Sequence, residues 1–233
     1  MSAPTVRLPV CADDRWYPRD PEELRALLDS FLANVSDPPV QGELLGLISP
    51  HAGYAYAGQT AAHAYKQLEG RTYEQVILMG PNHRAGSYSR LGPFGLTQSD
   101  FYRTPLGMIP IDEAAVQKLS EQVRVDFLKW DEEHSLEMQL PFLQRELGGS
   151  WKLLPLMLTQ PFYVFGREAR RACEELSQAL ASLGAGQSLL VASSDLSHLP
   201  DYRAVRFWDQ ALQDTIEEFD IEKLVDFMVN DGE

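Results

Sequence analysis

The chain is poor in cysteine, in basic residues and in long apolar runs. Its two cysteines, Cys11 and Cys173, lie far apart. They supply neither a disulfide framework nor a CxxC metal pair, and a reducing, cytoplasmic setting is the expectation. No stretch approaches the ~20 apolar residues that cross a bilayer. The opening MSAPTVRLPV also lacks the apolar centre of a secretory signal. Twenty Lys and Arg face 34 Asp and Glu, a net charge of −14. Nucleic acids and anionic membranes recruit proteins through basic surfaces, so neither is an expected partner, and the acidic balance reads as a solubilising surface. SSDLSH (193–198) offers a serine, an aspartate and a histidine, but no GxSxG elbow accompanies it, which argues against a serine hydrolase. With no GxGxxG and no GxxxxGK[ST], a nucleotide site has no support either.

What is present is ordinary globular composition, with 44% apolar, 10% aromatic and 23% charged residues among 233. At this length folding removes roughly 70% or more of the unfolded chain's surface, so a core without disulfides is expected. No repeat, low-complexity tract or shift in composition marks a boundary, and one domain across 1–233 is expected.

The pattern alternates strand and helix. Asp20 caps a helix that begins at Pro21 and carries Leu24, Leu27, Leu28 and Phe31 on one stripe. LLGLIS (44–49), QVILMG (75–80), WKLLPLML (151–158) and SLLVASS (188–194) read as strands, the first, second and fourth buried, with Pro155 an objection to a central place for the third. Residues 57–68, 111–122, 135–147, 165–183, 203–220 and 221–229 read as helical; Pro141 divides the third, and Ser135 reads as its cap. Residues 81–96 read as a long loop, with or without a short edge hairpin. The expected architecture is α/β, a three-layer α/β/α sandwich with a mainly parallel central sheet.

Three of the five histidines stand just past predicted strands: His51, His83 and His198. Ligand sites of open α/β sheets form outside the carboxyl ends of their strands, so three residues distant in sequence converge there. His134, in DEEHSLEM, is a fourth candidate, whereas His63 lies within a helix and reads as structural. Tyr54 and Tyr56 can wall a pocket or simply pack, and Asn82 can orient a ligand or form a turn. Neutral imidazoles bind Zn, Fe, Cu or Ni, and two with a carboxylate make the facial triad of non-haem Fe(II) oxygenases. A further histidine serves as general acid or base, with Asp195 orienting it or ligating metal. A zinc hydrolase stays open, because histidines alone do not choose the metal.

SPHAGYAYAG, GPNHR, DEEHSLEMQLPFL and SSDLSH, in this order, together with RWYP around Trp16, resemble the Memo-like proteins, the B component of the AmmeMemoRadiSam system. The resemblance implies a fold like that of LigB-type class III extradiol dioxygenases, which hold non-haem Fe(II) on two histidines and a glutamate. It implies His51 and His83 as metal ligands, with Fe(II) first and Cu or Zn after it. It implies His198, with Asp195 beside it, as the acid/base group; His134 joins them as a candidate catalytic residue, and Tyr54, Asn82, Trp16 and Glu137 are the candidate substrate-facing residues. It implies a redox, dioxygenase-type activity; a peptide- or protein-binding scaffold using the same pocket is the alternative. A small molecule or peptide is the expected occupant, and AMMECR-type and radical SAM proteins are the implied partners. The family's third metal-directed residue is a cysteine in a C-terminal CG motif; this sequence reads FMVNDGE at its end, so a shortened chain or a lost ligand is expected.

Overall fold

The computed structural model describes residues 3–84, 91–129, 131–159, 167–183 and 188–230. The centre of the expected loop at 81–96 and the start of the expected helix at 165 lie outside these residues.

Nine strands and seven helices are described: β1 (Val6–Arg7), α1 (Pro21–Ala33), β2 (Gly46–Ser49), α2 (Tyr54–Lys66), β3 (Gln75–Pro81), β4 (Phe94–Thr97), β5 (Phe101–Thr104), β6 (Gly107–Pro110), α3 (Glu113–Ser120), β7 (Val125–Leu128), α4 (Leu140–Glu146), β8 (Lys152–Leu158), α5 (Arg167–Ser182), β9 (Ser188–Ser193), α6 (Tyr202–Glu217) and α7 (Ile221–Asn230). Six strands form the main sheet in the order β2-β9-β3-β8-β4-β7. β2, β9, β3 and β8 are mutually parallel, while β4 runs antiparallel to β8 and parallel to β7. A small second sheet, β1-β5-β6, stands beside it.

Alternation along the central strands sends successive side chains to opposite faces. Val76 and Leu78, Leu153 and Met157, Leu189 and Val191 join α1, α2 and α4 in one buried cluster. Ile77, Leu154, Leu156 and Leu96 join α3 and α5 in the other. Helices therefore cover both faces of a largely parallel sheet, which is why these strands are apolar almost throughout.

Local chemistry sets the helix ends. Asp20 accepts from the Glu22 and Glu23 N–H groups ahead of Pro21, as expected. α2 starts earlier than its pattern implies, at Tyr54, whose N–H donates to the Trp16 carbonyl (2.9 Å). Pro141 opens α4 after a 3-10 turn at Glu137–Gln139.

Several expectations need correction. β2 is not a buried strand but the edge of the sheet, with Ile48 49% exposed, because among the described residues only β9 pairs with it. Pro155 does sit in a central strand. It falls between the bridge of Ile111 to Leu153 and the ladder with β4, which begins at Leu156, so the flank toward β4 is unpaired at that point. The β5–β6 hairpin and the strands β4 and β7 interrupt the strand–helix alternation. Ser135 does not cap the following helix; its hydroxyl donates to the Pro81 carbonyl (2.7 Å). Neither the 3-10 turn nor α4 has a side-chain cap; ahead of them Glu133 accepts from the His134 and Ser135 N–H groups (2.8 and 3.0 Å).

Candidate metal centre

Strand register builds the site. Ser49 at the end of β2 pairs with Ser193 at the end of β9, and β9 also pairs with β3. Two residues beyond those ends come His51, Asp195 and, after Pro81, His83. With β9 between β2 and β3, the three extensions converge at one sheet edge. The His51 N–H donates to Asp195 Oδ1 (2.7 Å), and the Ala52 N–H donates to the same oxygen (3.3 Å). The turn that carries His134 is pressed onto β3 by the Ser135–Pro81 hydrogen bond.

His51, His83 and His134 each offer one donor atom, all within 4.8 Å of one another. Ring centroids lie 5.0 Å apart for His51–His83, 4.6 Å for His83–His134 and 5.6 Å for His51–His134. His51 is buried and the His83 side chain is 43% exposed, so the cluster opens to solvent on the His83 side.

The hydrogen bonds assign the tautomers. Ser193 has one hydroxyl proton, and it goes to the Ser135 carbonyl (2.7 Å), which can only accept. Gln139 Nε2 donates to the Ser193 oxygen (2.9 Å) while Gln139 Oε1 accepts from Tyr65 (2.7 Å). The remaining Ser193 lone pair, 2.9 Å from His51 Nδ1, therefore requires a proton on that nitrogen. His83 Nδ1 and His134 Nδ1 stand 3.0 and 2.9 Å from Glu133 Oε1. Burial alone would raise the Glu133 pKa, but hydrogen bonds from His134, Ser135 and His83 outweigh it and hold the carboxyl well below its usual range. Ionised, Glu133 only accepts, so both Nδ1 atoms carry protons. In the neutral form of each ring, Nε2 is then the nitrogen that keeps a free lone pair. Burial, against the opposing pull of Asp195, lowers the His51 pKa to about 4, so this imidazole is neutral at pH 7. Three imidazoles whose other nitrogens are tied back form, when neutral, a donor set that fits a first-row divalent ion.

The other expected residues take distinct places. Asp195 Oδ2 lies 3.6 Å from His51 Nε2 and 3.7 Å from His198 Nε2. His198 is 78% exposed and lines, with Asp195, Ile48, Tyr56 and Ile216, a cleft of about 740 Å³ between β2, α2 and α6. Trp16 packs its ring 4.6 Å from that of His134. Asn82 Oδ1 accepts from the Arg84 N–H (2.8 Å), but its buried Nδ2 has no partner among the described residues. Tyr54 is buried and donates to the Met138 carbonyl (2.8 Å). Glu137 is fully buried; its carboxylate accepts from Arg7, from the Val10 and Cys11 N–H groups and from the Tyr17 hydroxyl. Its oxygens are thus committed to the N-terminal segment.

Sequence reasoning missed Glu133, Ser193 as a histidine partner, and Gln139. The adjacency of Glu133 to His134 in DEEH was the available signal. For Ser193 and Gln139 no local signal exists, because each acts across the fold.

The family model described as Memo-like protein matches residues 7–232. A MEMO1 family protein of Nitrosopumilus maritimus is 31% identical over 225 residues, covering 94% of this chain and 78% of that protein. One from Aquifex aeolicus is 34% identical over 225 residues, covering 94% and 77%. One from Thermotoga neapolitana is 32% identical over 240 residues, covering 97% and 82%. The family match runs through every segment that builds the histidine cluster, and the chain belongs to the Memo-like family.

Proposed function

We propose that this protein holds a redox-capable metal ion, Fe(II) or Cu, on His51, His83 and His134, and acts on a small molecule or peptide in a dioxygenase-type reaction on a LigB-like fold. The observation that carries this reading is the common contact pattern: each ring spends Nδ1 on a protein oxygen, so that Nε2 is the nitrogen available to an ion. The chemistry such an ion supplies is Lewis-acid polarisation and electron exchange with O₂. The chain's own residues supply the rest. Asp195 Oδ2 sits between the Nε2 atoms of His51 and His198 and orients the latter. His198 takes or returns a proton at Nε2 on the side of the cleft. Trp16 covers the His134 ring and excludes water from it. Asn82 Nδ2, without a partner among the described residues, is a donor beside His83 for an oxygen of the occupant.

Anaerobic purification, reconstitution with Fe(II) or Cu and metal analysis test the reading. One ion per chain is expected, and His51→Ala is expected to lose it. No stoichiometric ion after reconstitution overturns it. The three-histidine set also favours a second reading, a zinc hydrolase, since catalytic zinc uses three protein ligands and an open position. Turnover of phosphoesters or amides by the Zn-loaded protein, without O₂ uptake by the Fe-loaded one, would select that reading. AMMECR-type and radical SAM partners form part of the proposal. Retention of such a partner by a His51→Ala, His83→Ala double variant would favour a scaffold using the same pocket.

A further inference from the structure

Among the buried charges, Glu133 has a geometry that its place in the core does not explain. Its side chain is 1% exposed, and five N–H groups converge on its carboxylate. Oε2 accepts from the His83 backbone (2.6 Å). Oε1 accepts from the His134 and Ser135 backbones and from Nδ1 of both His83 and His134. The residue is itself anchored: its N–H donates to Asp131 Oδ1 (2.8 Å), and its carbonyl accepts from Arg7 (2.7 Å). Four of the five N–H groups share Oε1, which is thereby fully spent, whereas Oε2 accepts one and keeps a lone-pair site. The oxygen that meets the two imidazoles is therefore committed to N–H groups and acts toward the rings as an acceptor.

We propose that Glu133 is a positioning residue that preforms the metal centre. One oxygen grips two imidazoles, fixes both in the Nδ1–H tautomer and sets the separation of their rings before any ion arrives. Ser193 does the same for His51 through an independent path. This inference rests on reading the three histidines as ligands, but its first test needs no metal.

Nitrogen-15 NMR of metal-free wild-type protein, with labelled histidine, reads the tautomers directly. His83 and His134 are expected as Nδ1–H with bare Nε2; an Nε2–H tautomer at either overturns the proposal. In Glu133→Gln, mixed tautomers are expected at His83 and His134 while His51 stays Nδ1–H. Zn²⁺ and Co²⁺, titrated as probes, are expected to bind about 10–100-fold more weakly, still at one ion per chain. Wild-type affinity in this variant overturns the proposal, as does complete loss of binding in a folded variant, which would make Glu133 a ligand. Should Glu133→Gln not fold, the wild-type tautomers decide. Wild-type protein with the expected tautomers but no metal affinity would refute the metal reading and leave the positioning role standing.

Discussion

Burial and charge pull against each other at Glu146, near the end of α4. Burial raises its pKa above the ordinary 4.5, and Arg145 and Lys66 only partly oppose the shift. A carboxyl whose folded pKa lies above its unfolded one binds its proton more tightly when folded, so this group's contribution to stability falls as pH rises through that window. Glu146→Gln should therefore raise the urea midpoint at pH 7, where the charge is fully present, and raise it less at pH 4. An equal gain at both pH values would refute the assignment. The same competition ends differently at Glu133, where fixed N–H donors outweigh burial. Both are glutamates in charge-rich runs of the sequence, and only their partners separate them.

Elements bring the histidines within reach of one another, and Gly80 near the end of β3 shows how closely. A β-carbon there would lie 2.8 Å from Ser135 Oγ and 2.9 Å from Leu136 Cδ2. The missing side chain lets the turn bearing His134 sit directly on the strand that delivers His83. Gly80→Ala should cost about 1–3 kcal/mol by overpacking and should also weaken metal binding, read by urea denaturation and metal titration on the same sample. Full stability with full affinity would show that the contact is slack. The strand-end placement of His51 and His83 was legible in sequence because β2 and β3 are short apolar runs followed at once by histidine. The β5–β6 hairpin was not, because FYRTPLGMIP mixes polar and apolar positions and its turn is set by Gly107 at φ +138°.

Across the whole molecule, a buried charge network ties the N-terminal segment to the site. Arg7 on β1 pairs with Glu137 and lies 3.3 Å from Asp131, with its guanidinium 5.2 Å from the Tyr102 ring centroid. Burial would lower the Arg7 pKa, but Asp131 and Glu137 outweigh it and raise it. Residues 7–17 are thereby held against the turn that carries His134, with Trp16 over its ring. Removing one member of a buried charge set leaves the others unpaired. Arg7→Met should therefore destabilise the protein by about 3–5 kcal/mol, measured by urea denaturation, and should release Trp16 from His134, visible as a change in tryptophan fluorescence. A loss below 1 kcal/mol would show that water or local rearrangement satisfies Glu137 and Asp131.

By itself, the sequence determined the α/β class, the Asp20 cap and the break near Pro141, the Memo-like resemblance and the strand-end histidines. Each of those is written in local order: periodicity, a proline, a capping aspartate, a motif. Tertiary structure alone decided that His134 joins His51 and His83, that Glu137 serves the N-terminal segment, and that Glu133 and Ser193 hold the rings. The physical reason is that a hydrogen bond chooses its partner by position in space. Ser193 reaches His51 only because β9 lies beside β2, and Glu133 reaches His83 only because the turn after it lies on β3.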